Sequence, residues 1–462
     1  YRQAISLKCQ MAARSPQRLY RLTVPTGAGK TLSSLRYALS HAQEYGKEHI
    51  IYIAPYNSIL EQNAQAIRQA LGETAIILEH HCNVIYQNDE AQEEYDLLAE
   101  NWQAMIVVTT AVQFLNTLFS AQSGSVRRMH NLCNSIIIFD EIQALPIRIM
   151  KIFNLAVNFL TAFCNTTIVL CSATQPLLDK FPENRILPAQ EMADDFSLYA
   201  AAFQRTTIID QTRLKNGGLN IAELAEFVLA KQKNAQQVLV VVNTRSCAVN
   251  LYEELKQKTA EQFMEADLRE NGCKLFHLSN NMCMSNRQEV LEEVKSSLAQ
   301  EKPLICVSTA LIEAGVDISF KSVIRSLIGL DSIIQAAGRC NRNGRDENGN
   351  VYIVHISREA ENVSRMADIS QAQGIMQTVL NRFAAMPEIF DHSLSSKQAI
   401  DFYYELYLSR RRAEMDYPVA LAHGQSSLLE LLSGNKQQWH SFHGQGGGPL
   451  LKQAFKTAGS LF

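Results

Sequence analysis

The sequence lacks the closely spaced cysteine pairs of zinc and disulfide motifs, although it contains ten cysteines. They are scattered, and several lie in apolar runs, as Cys171 and Cys306 do, which predicts buried, reduced thiols. No apolar run reaches the length of about 18 residues that a membrane span needs, and no signal peptide is recognisable. We therefore expect a cytoplasmic protein without a membrane partner.

The sequence also lacks a surplus of basic charge, because it contains 43 lysines and arginines and 46 acidic residues, which give a net charge of −3. Any contact with nucleic acid must therefore come from a local groove. The chain of 462 residues is too long to fold around one hydrophobic core of ordinary size, so we predict two or three domains. The chain starts at Tyr1 and ends on an apolar segment, so we expect both ends to continue into a longer protein.

Apolar, β-branched runs recur along the chain with helical patterns between them, which is typical of an α/β fold with parallel sheets covered on both faces. Five runs lie in the first 171 residues and five between residues 237 and 356. A polar stretch around Phe181–Gly218 separates the two sets, and strand signals stop near Glu361. The predicted domains are residues 1–205, 206–360 and 361–462, the last a helical extension.

The segment 25–31 reads PTGAGKT and directly follows an apolar run. Glycines at this place let consecutive backbone N–H groups point at phosphate oxygens, and the following helix start adds positive charge. A tight turn with a chance Lys-Thr is the alternative, and the strict P-loop pattern would have glycine where Val24 stands. The pattern predicts an ATP and Mg²⁺ site formed by Thr26, Gly27, Ala28, Gly29, Lys30 and Thr31, with the Thr31 hydroxyl as a metal ligand.

An acidic pair, Asp140 and Glu141, ends another apolar run. In a phosphate site, Asp140 would hold Mg²⁺ and Glu141 would orient and deprotonate the attacking water. Gln143 would link this site to a neighbouring strand by donating hydrogen bonds to the hydroxyls of Ser172 and Thr174. An isolated Asp-Glu pair would more often be solvated, and the upstream glycine loop is what favours catalysis.

In the second half, Arg339 and Arg342 are three residues apart, which would place them on one face of a helix. Two guanidinium groups suit the transition-state charge of a transferring phosphoryl group, although a surface pair is the alternative. The preceding segment ends in Gly315 and Asp317, and Asp317 could meet a ribose hydroxyl or an arginine.

These motifs occur in the order found in superfamily 2 helicases, and the segment 329–344, GLDSIIQAAGRCNRNG, extends the match well beyond the general pattern. The sequence resembles the CRISPR-associated helicase–nucleases of type I systems, and most closely subtype I-C. The resemblance implies two tandem RecA-like domains with ATP between them. It also implies that a crRNA-guided surveillance complex (Cascade) recruits an ATP-driven motor to single-stranded DNA, which the motor follows 3′→5′ while a nuclease degrades the strand.

Family residues that grip the DNA backbone correspond here to Pro55, Asn57, Thr109, Thr110, Gln113, Asn243, Thr244, Ser308 and Thr309. The family's metal-dependent nuclease domain carries a His-Asp signature, and no such dipeptide occurs in this sequence. We therefore expect the HD nuclease in another part of the protein or in another chain, and no cleavage by this chain.

Two other functions are compatible with the motifs. One is a different superfamily 2 motor acting on DNA or RNA. The other is a nucleotide-gated module that binds nucleic acid without translocation, although Glu141 argues against a pure clamp.

Overall fold

The computed structural model describes residues 1–72, 77–81, 95, 98–120, 122–181, 183–264, 273–279, 281–313, 316–421 and 424–433. The chain divides into two compact units. Unit 1 comprises Tyr1–Tyr199 together with the chain from Leu408 onward, and unit 2 comprises Ala200–Tyr407. The domain bounds predicted from the sequence, 1–205, 206–360 and 361–462, stay a prediction. Within the described residues, no helix is long and apolar enough to cross a membrane.

Unit 1 is built on a parallel sheet whose described strands are β1 (Leu19–Thr23), β2 (His49–Ala54), β3 (Ile77–His80), β4 (Ile106–Thr110), β5 (Ser135–Phe139), β6 (Thr167–Ser172) and β7 (Gln190–Glu191). Their order is β3-β4-β2-β5-β6-β1-β7. Strands β5 and β6 are buried along their whole length, as their continuous apolar sequences predict.

The described helices of this part of the chain are α1 (Arg2–Ala12), α2 (Lys30–Tyr45), α3 (Asn57–Leu71), α4 (Ala111–Phe119), α5 (Ser123–Val126), α6 (Met150–Phe163) and α7 (Phe196–Phe203). Helix α2 starts at the lysine of the glycine loop and ends at Tyr45, and the φ of +62° at Gly46 suits a glycine cap.

Unit 2 repeats the architecture with strands β8 (Thr206–Gln211), β9 (Gln237–Val241), β10 (Lys274–Leu278), β11 (Leu304–Ser308), β12 (Ser322–Ser326) and β13 (Gly349–Val354). They form a parallel sheet in the order β10-β11-β9-β12-β13-β8. The described helices are α8 (Ile221–Ala235), α9 (Arg245–Met264), α10 (Met284–Ala299), α11 (Leu330–Ala337), α12 (Ala367–Ala385) and α13 (Lys397–Arg410). Two apolar clusters contain alternate residues of β9, so both faces of the sheet are covered.

The C-terminal segment is helical through α12 and α13, as expected, but it then forms an antiparallel hairpin of β14 (Pro418–Leu421) and β15 (Gly424–Ser427), followed by α14 (Leu428–Ser433). The expectation that strand signals stop near Glu361 was wrong for this hairpin. The hairpin belongs to unit 1, and within that unit Nζ of the buried Lys151 lies 2.5 Å from Asp416 Oδ1, just before the hairpin. The Arg148 guanidinium also lies over the Tyr417 ring, 5.0 Å from its centroid.

Candidate functional site

The glycine loop joins β1 to α2 at the carboxyl edge of the unit 1 sheet. Gly27 has φ of +79° and Gly29 has φ of +87°, a conformation that residues with a Cβ rarely adopt. The Arg2 side chain of α1 donates a hydrogen bond from Nε to the Gly27 carbonyl, 2.8 Å away. A loop of this shape immediately before a helix start can bind an anion through backbone N–H groups.

Lys30 and Glu141 form an ion pair at the head of this loop. Lys30 Nζ lies 2.5 Å from Glu141 Oε1, and the side chains are only 9% and 16% exposed. Burial by itself lowers the pKa of Lys30, but the nearby Glu141 and Asp140 carboxylates outweigh it and raise the pKa. Lys30 is therefore a cation at neutral pH, next to a carboxylate that a bound phosphate would displace or reposition.

Asp140 is buried beside that pair and accepts three hydrogen bonds. Tyr52 Oη donates over 2.9 Å, Asn63 Nδ2 over 3.1 Å and the Glu141 backbone N–H over 3.0 Å. Burial raises the pKa of the Asp140 carboxyl, and Lys30 opposes that rise. The carboxylate is thus held in one orientation by neighbours from two other elements.

Asn63 connects the two residues predicted to bind Mg²⁺. Its Oδ1 accepts a hydrogen bond from Thr31 Oγ1 over 3.1 Å, while its Nδ2 donates to Asp140. A hydroxyl and a carboxylate held by one amide provide hard oxygen donors, the ligand type that Mg²⁺ takes along with substrate phosphates. The donor set therefore fits the metal.

Glu141 lies at a strained turn directly after β5. Its φ is +48°, in the left-handed region that non-glycine residues avoid and that is found at functional sites. Gln143 Nε2 donates to Glu141 Oε2 over 2.5 Å, and Ser172 Oγ donates to Gln143 Oε1 over 2.6 Å. Gln143 and Ser172 are therefore linked, as the sequence predicted, but the Ser172 hydroxyl donates this hydrogen bond, whereas it was expected to accept one.

The two arginines of unit 2 are placed differently from the prediction. Helix α11 ends at Ala337, so Arg339 and Arg342 follow it in a turn and do not share a helix face. Arg339 is buried, and its Nη2 donates to the Glu313 carbonyl over 2.6 Å. Arg342 Nε lies 2.8 Å from Asp317 Oδ1 within the same unit. Gly315 lies outside the described residues.

A buried ionic network surrounds this turn. Arg325, on β12, is fully buried, and its Nε lies 2.7 Å from Glu313 Oε1. Its Nη1 donates to Asn243 Oδ1 over 2.8 Å, and its Nη2 donates to Ser332 Oγ over 3.2 Å. Burial raises the pKa of the Glu313 carboxyl, while Arg325 and the Ser332 hydroxyl lower it. Arg325 thereby connects Glu313, which holds Arg339, with Asn243.

We expect Arg325→Met to destabilise unit 2 by about 3–5 kcal/mol, because it leaves the buried Glu313 carboxylate without its cation. Adding Glu313→Gln should recover part of that loss. Chemical denaturation followed by circular dichroism measures both effects. Arg345→Met is the matched control, since Arg345 and Glu301 form an exposed pair at 4.0 Å and its loss should change stability by less than about 1 kcal/mol. Equal effects of Arg325→Met and Arg345→Met would show that the buried network is not stabilising.

The predicted DNA contacts of unit 1 lie where β2 and β4 end, on adjacent strands of the sheet. Pro55 and Asn57 follow β2, and the Thr110 hydroxyl caps α4 by accepting from the Gln113 N–H over 3.2 Å. Thr109 is fully buried, and its hydroxyl donates to the His80 carbonyl over 2.9 Å. The DNA contact of Thr109 stays a prediction, and its hydroxyl is already engaged in this hydrogen bond.

The contacts predicted in unit 2 likewise lie where adjacent strands β9 and β11 end. Asn243 and Thr244 follow β9, and Thr309 follows β11. The Ser308 hydroxyl is buried and donates to the Leu278 carbonyl over 3.0 Å. The DNA contacts of these residues, Ser308 included, stay predictions.

Several residues that shape the site were not predicted from the sequence: Arg2, Tyr52, Asn63, Glu313 and Arg325. Tyr52 lies inside an apolar strand and Asn63 inside an ordinary amphipathic helix, so no local pattern marks either. An arginine within the apolar run of β12 is the one local signal that was available, because a buried charge needs a partner.

Two family models match this chain. The model of the DEAD/DEAH box helicase matches residues 6–181, and the model of the C-terminal part of the CRISPR-associated nuclease/helicase Cas3 matches residues 234–345. These matches identify an ATP-dependent helicase domain.

Curated relatives of this chain are named CRISPR-associated nuclease/helicase Cas3. The CRISPR-associated nuclease/helicase Cas3 of Haloferax volcanii is 24% identical over 415 residues, which cover 70% of this chain and 44% of the relative. The protein of that name from Methanothermobacter thermautotrophicus is 23% identical over 402 residues, covering 83% and 45%. The chain thus spans about half the length of the curated relatives it matches.

Solved structures support the same fold. Cas3 of T. fusca with AMPPNP has a TM-score of 0.66 at 17% identity, covering 88% of this chain and 54% of that one. The helicase MrfA bound to DNA has a TM-score of 0.53 at 14% identity, covering 92% and 56%. The protein shares its fold, two tandem RecA-like domains, with T. fusca Cas3. Each unit described above is one parallel-sheet domain of that type.

Proposed function

Since this chain belongs to the CRISPR-associated Cas3 helicase family, we propose that it is the ATP-driven single-stranded DNA motor of a type I CRISPR interference system. A crRNA-guided surveillance complex would recruit it to the displaced strand. A metal-dependent HD nuclease domain, in the same protein or another chain, would degrade the DNA that the motor delivers. The observation that carries the proposal is the buried Lys30–Glu141 pair at the head of the glycine loop.

The chemistry follows from the charges in the site. Backbone N–H groups of Thr26–Lys30 would hold the β- and γ-phosphates, and the Lys30 ammonium would turn from Glu141 to the γ-phosphate. Glu141, released from that ion pair but still bonded to Gln143, would orient the attacking water and accept its proton. Arg339 and Arg342 would stabilise the charge that develops on the transferring phosphoryl group.

Mg²⁺ would be held by Asp140 and the Thr31 hydroxyl, with Asn63 keeping both oxygen atoms in place. When bound, the metal supplies Lewis-acid stabilisation of phosphate charge. Tyr52 and Asn63 leave the Asp140 carboxylate one preferred orientation, so the side chain needs little reorganisation on binding.

Strand binding would use the carboxyl edges of both sheets. Backbone amides and hydroxyls at Pro55, Asn57, Thr110 and Gln113 in unit 1, and at Asn243, Thr244 and Thr309 in unit 2, would contact phosphates. Such contacts are independent of base sequence, as a motor requires.

Steady-state ATP hydrolysis with added single-stranded DNA or RNA of equal sequence tests the proposal. We expect stimulation by DNA, and strand displacement with ATP but none with a non-hydrolysable analogue. Stimulation by RNA alone would favour a different superfamily 2 motor. DNA binding that depends on nucleotide, without any displacement, would instead indicate a nucleotide-gated clamp.

Dependence on the CRISPR complex is tested separately. Displacement should begin on a duplex only when the cognate crRNA complex has opened it. Equal displacement on duplexes with and without that complex would contradict the proposed recruitment, although it would leave the motor activity intact.

A further inference from the structure

A cavity of about 540 Å³ lies at the carboxyl edge of the unit 1 sheet, where β2, β4 and β5 end. We call it the strand-edge cavity. Its inner wall is apolar and buried, formed by side chains such as Leu115, Phe139 and Leu145. A mostly apolar concave site of this volume is the usual form of a small-ligand pocket.

The mouth of the cavity carries surfaces suited to flat ligands. Tyr56 is 49% exposed and Val112 is 60% exposed, and both line the cavity. On another side Arg148 stacks over the Tyr417 ring, 5.0 Å from its centroid. Aromatic rings and guanidinium planes are the groups on which nucleobases stack.

The charge and polarity of the cavity discriminate among ligands. Asp140 and Glu141 both line it, and their two negative charges are balanced by Arg148, which also lines it, and by Lys30, which pairs with Glu141. A phosphate would therefore find no surplus of positive charge and would lose its hydration against the apolar inner wall, whereas a neutral ring would not.

The cavity also adjoins residues predicted to hold the DNA backbone. Pro55 lines it, and its wall continues through Ala111 and Val112, which directly follow Thr110. A strand whose phosphates contact Asn57 and Thr110 would therefore run along the mouth. We infer that the strand-edge cavity binds one nucleobase of the translocating strand, an inference that rests on the proposed function.

Binding of two strands with the same backbone tests this inference. One is an oligothymidylate, and the other has the same length and abasic sugars throughout. Fluorescence anisotropy should show the abasic strand binding roughly 5- to 100-fold more weakly, the range expected for one stacked base.

Two variants assign that difference to the cavity. Leu115→Trp fills the cavity from α4, and Tyr56→Ala removes an exposed ring from its mouth. Each should lower the affinity for oligothymidylate toward that of the abasic strand and leave abasic binding unchanged. Leu118→Trp on the same helix and Tyr45→Ala on α2 make the same substitutions outside the cavity lining and should preserve the difference.

Thermal denaturation checks that the variants fold, and if Leu115→Trp does not, the exposed Tyr56→Ala decides the matter. Equal affinity of the two strands for the unmodified protein would overturn the inference. So would a difference that survives both cavity variants, because the bases would then be bound elsewhere. If neither strand binds at all, that result counts against the proposed function instead.

Discussion

Lys30→Ala should lower ATP turnover by about two to three orders of magnitude, the usual cost of losing one buried donor to a transferring group. The Lys30 side chain is 9% exposed and lies at the start of α2, where the glycine loop would place a bound phosphate. Removing it also leaves the Asp140 and Glu141 carboxylates adjacent without a cation, so binding of an anionic nucleotide should weaken. Steady-state hydrolysis with saturating single-stranded DNA measures the first effect, and nucleotide-dependent thermal stabilisation measures the second.

Lys151→Ala separates the chemistry from the cost of removing a buried lysine. Lys151 Nζ is also buried and lies 2.5 Å from a carboxylate, that of Asp416, so its loss should lower the midpoint of unfolding. Below that midpoint, turnover should stay close to that of the unmodified protein. Turnover of Lys30→Ala within a factor of about two of the unmodified protein would contradict the assignment of the nucleotide site.

The central strands could be predicted because each buried strand is a continuous apolar run in the sequence. Runs such as His49–Ala54 and Ser135–Phe139 are apolar after their first residue, and the strands have those bounds. Strand β8 (Thr206–Gln211) was missed inside the predicted polar junction, since this edge strand is only half-buried and carries polar side chains. An edge strand needs less apolar sequence, so its signal is weak.

The site was predictable where its residues are close in sequence and unpredictable where they are not. Gly27, Gly29 and Lys30 form one local motif, whereas Asn63 is 32 residues from Thr31 and 77 from Asp140. Only the tertiary fold brings α3 between them. The turn after α11 was misjudged for a related reason: Asn341 adopts φ of +44°, so helical spacing does not apply from Arg339 to Arg342.

Glu141→Gln should separate nucleotide binding from hydrolysis. The amide keeps the size of the carboxylate and can still meet Gln143, but it cannot accept a proton from water, which should slow turnover by about 10²- to 10⁴-fold. Binding should be retained or tightened, because Lys30 loses the carboxylate that competes with the γ-phosphate for its charge. Single-turnover hydrolysis and equilibrium binding of ATP give the two quantities independently, and strand displacement should fall together with hydrolysis.

Glu79→Gln is the matched control in the same unit. Glu79 also accepts from a cation, Arg68, but it lies on edge strand β3, which is separated from β5 by the two strands β4 and β2. The Glu79 side chain is 18% exposed, close to the 16% of Glu141, so the two variants match in burial. Replacing Glu79 should change turnover by less than about twofold, since β3 lies at the edge of the sheet and not beside the glycine loop. If Glu141→Gln hydrolyses ATP as fast as Glu79→Gln, Glu141 does not activate water. If it instead loses ATP binding, the ion pair with Lys30 organises the phosphate site, and the separation of roles argued above fails.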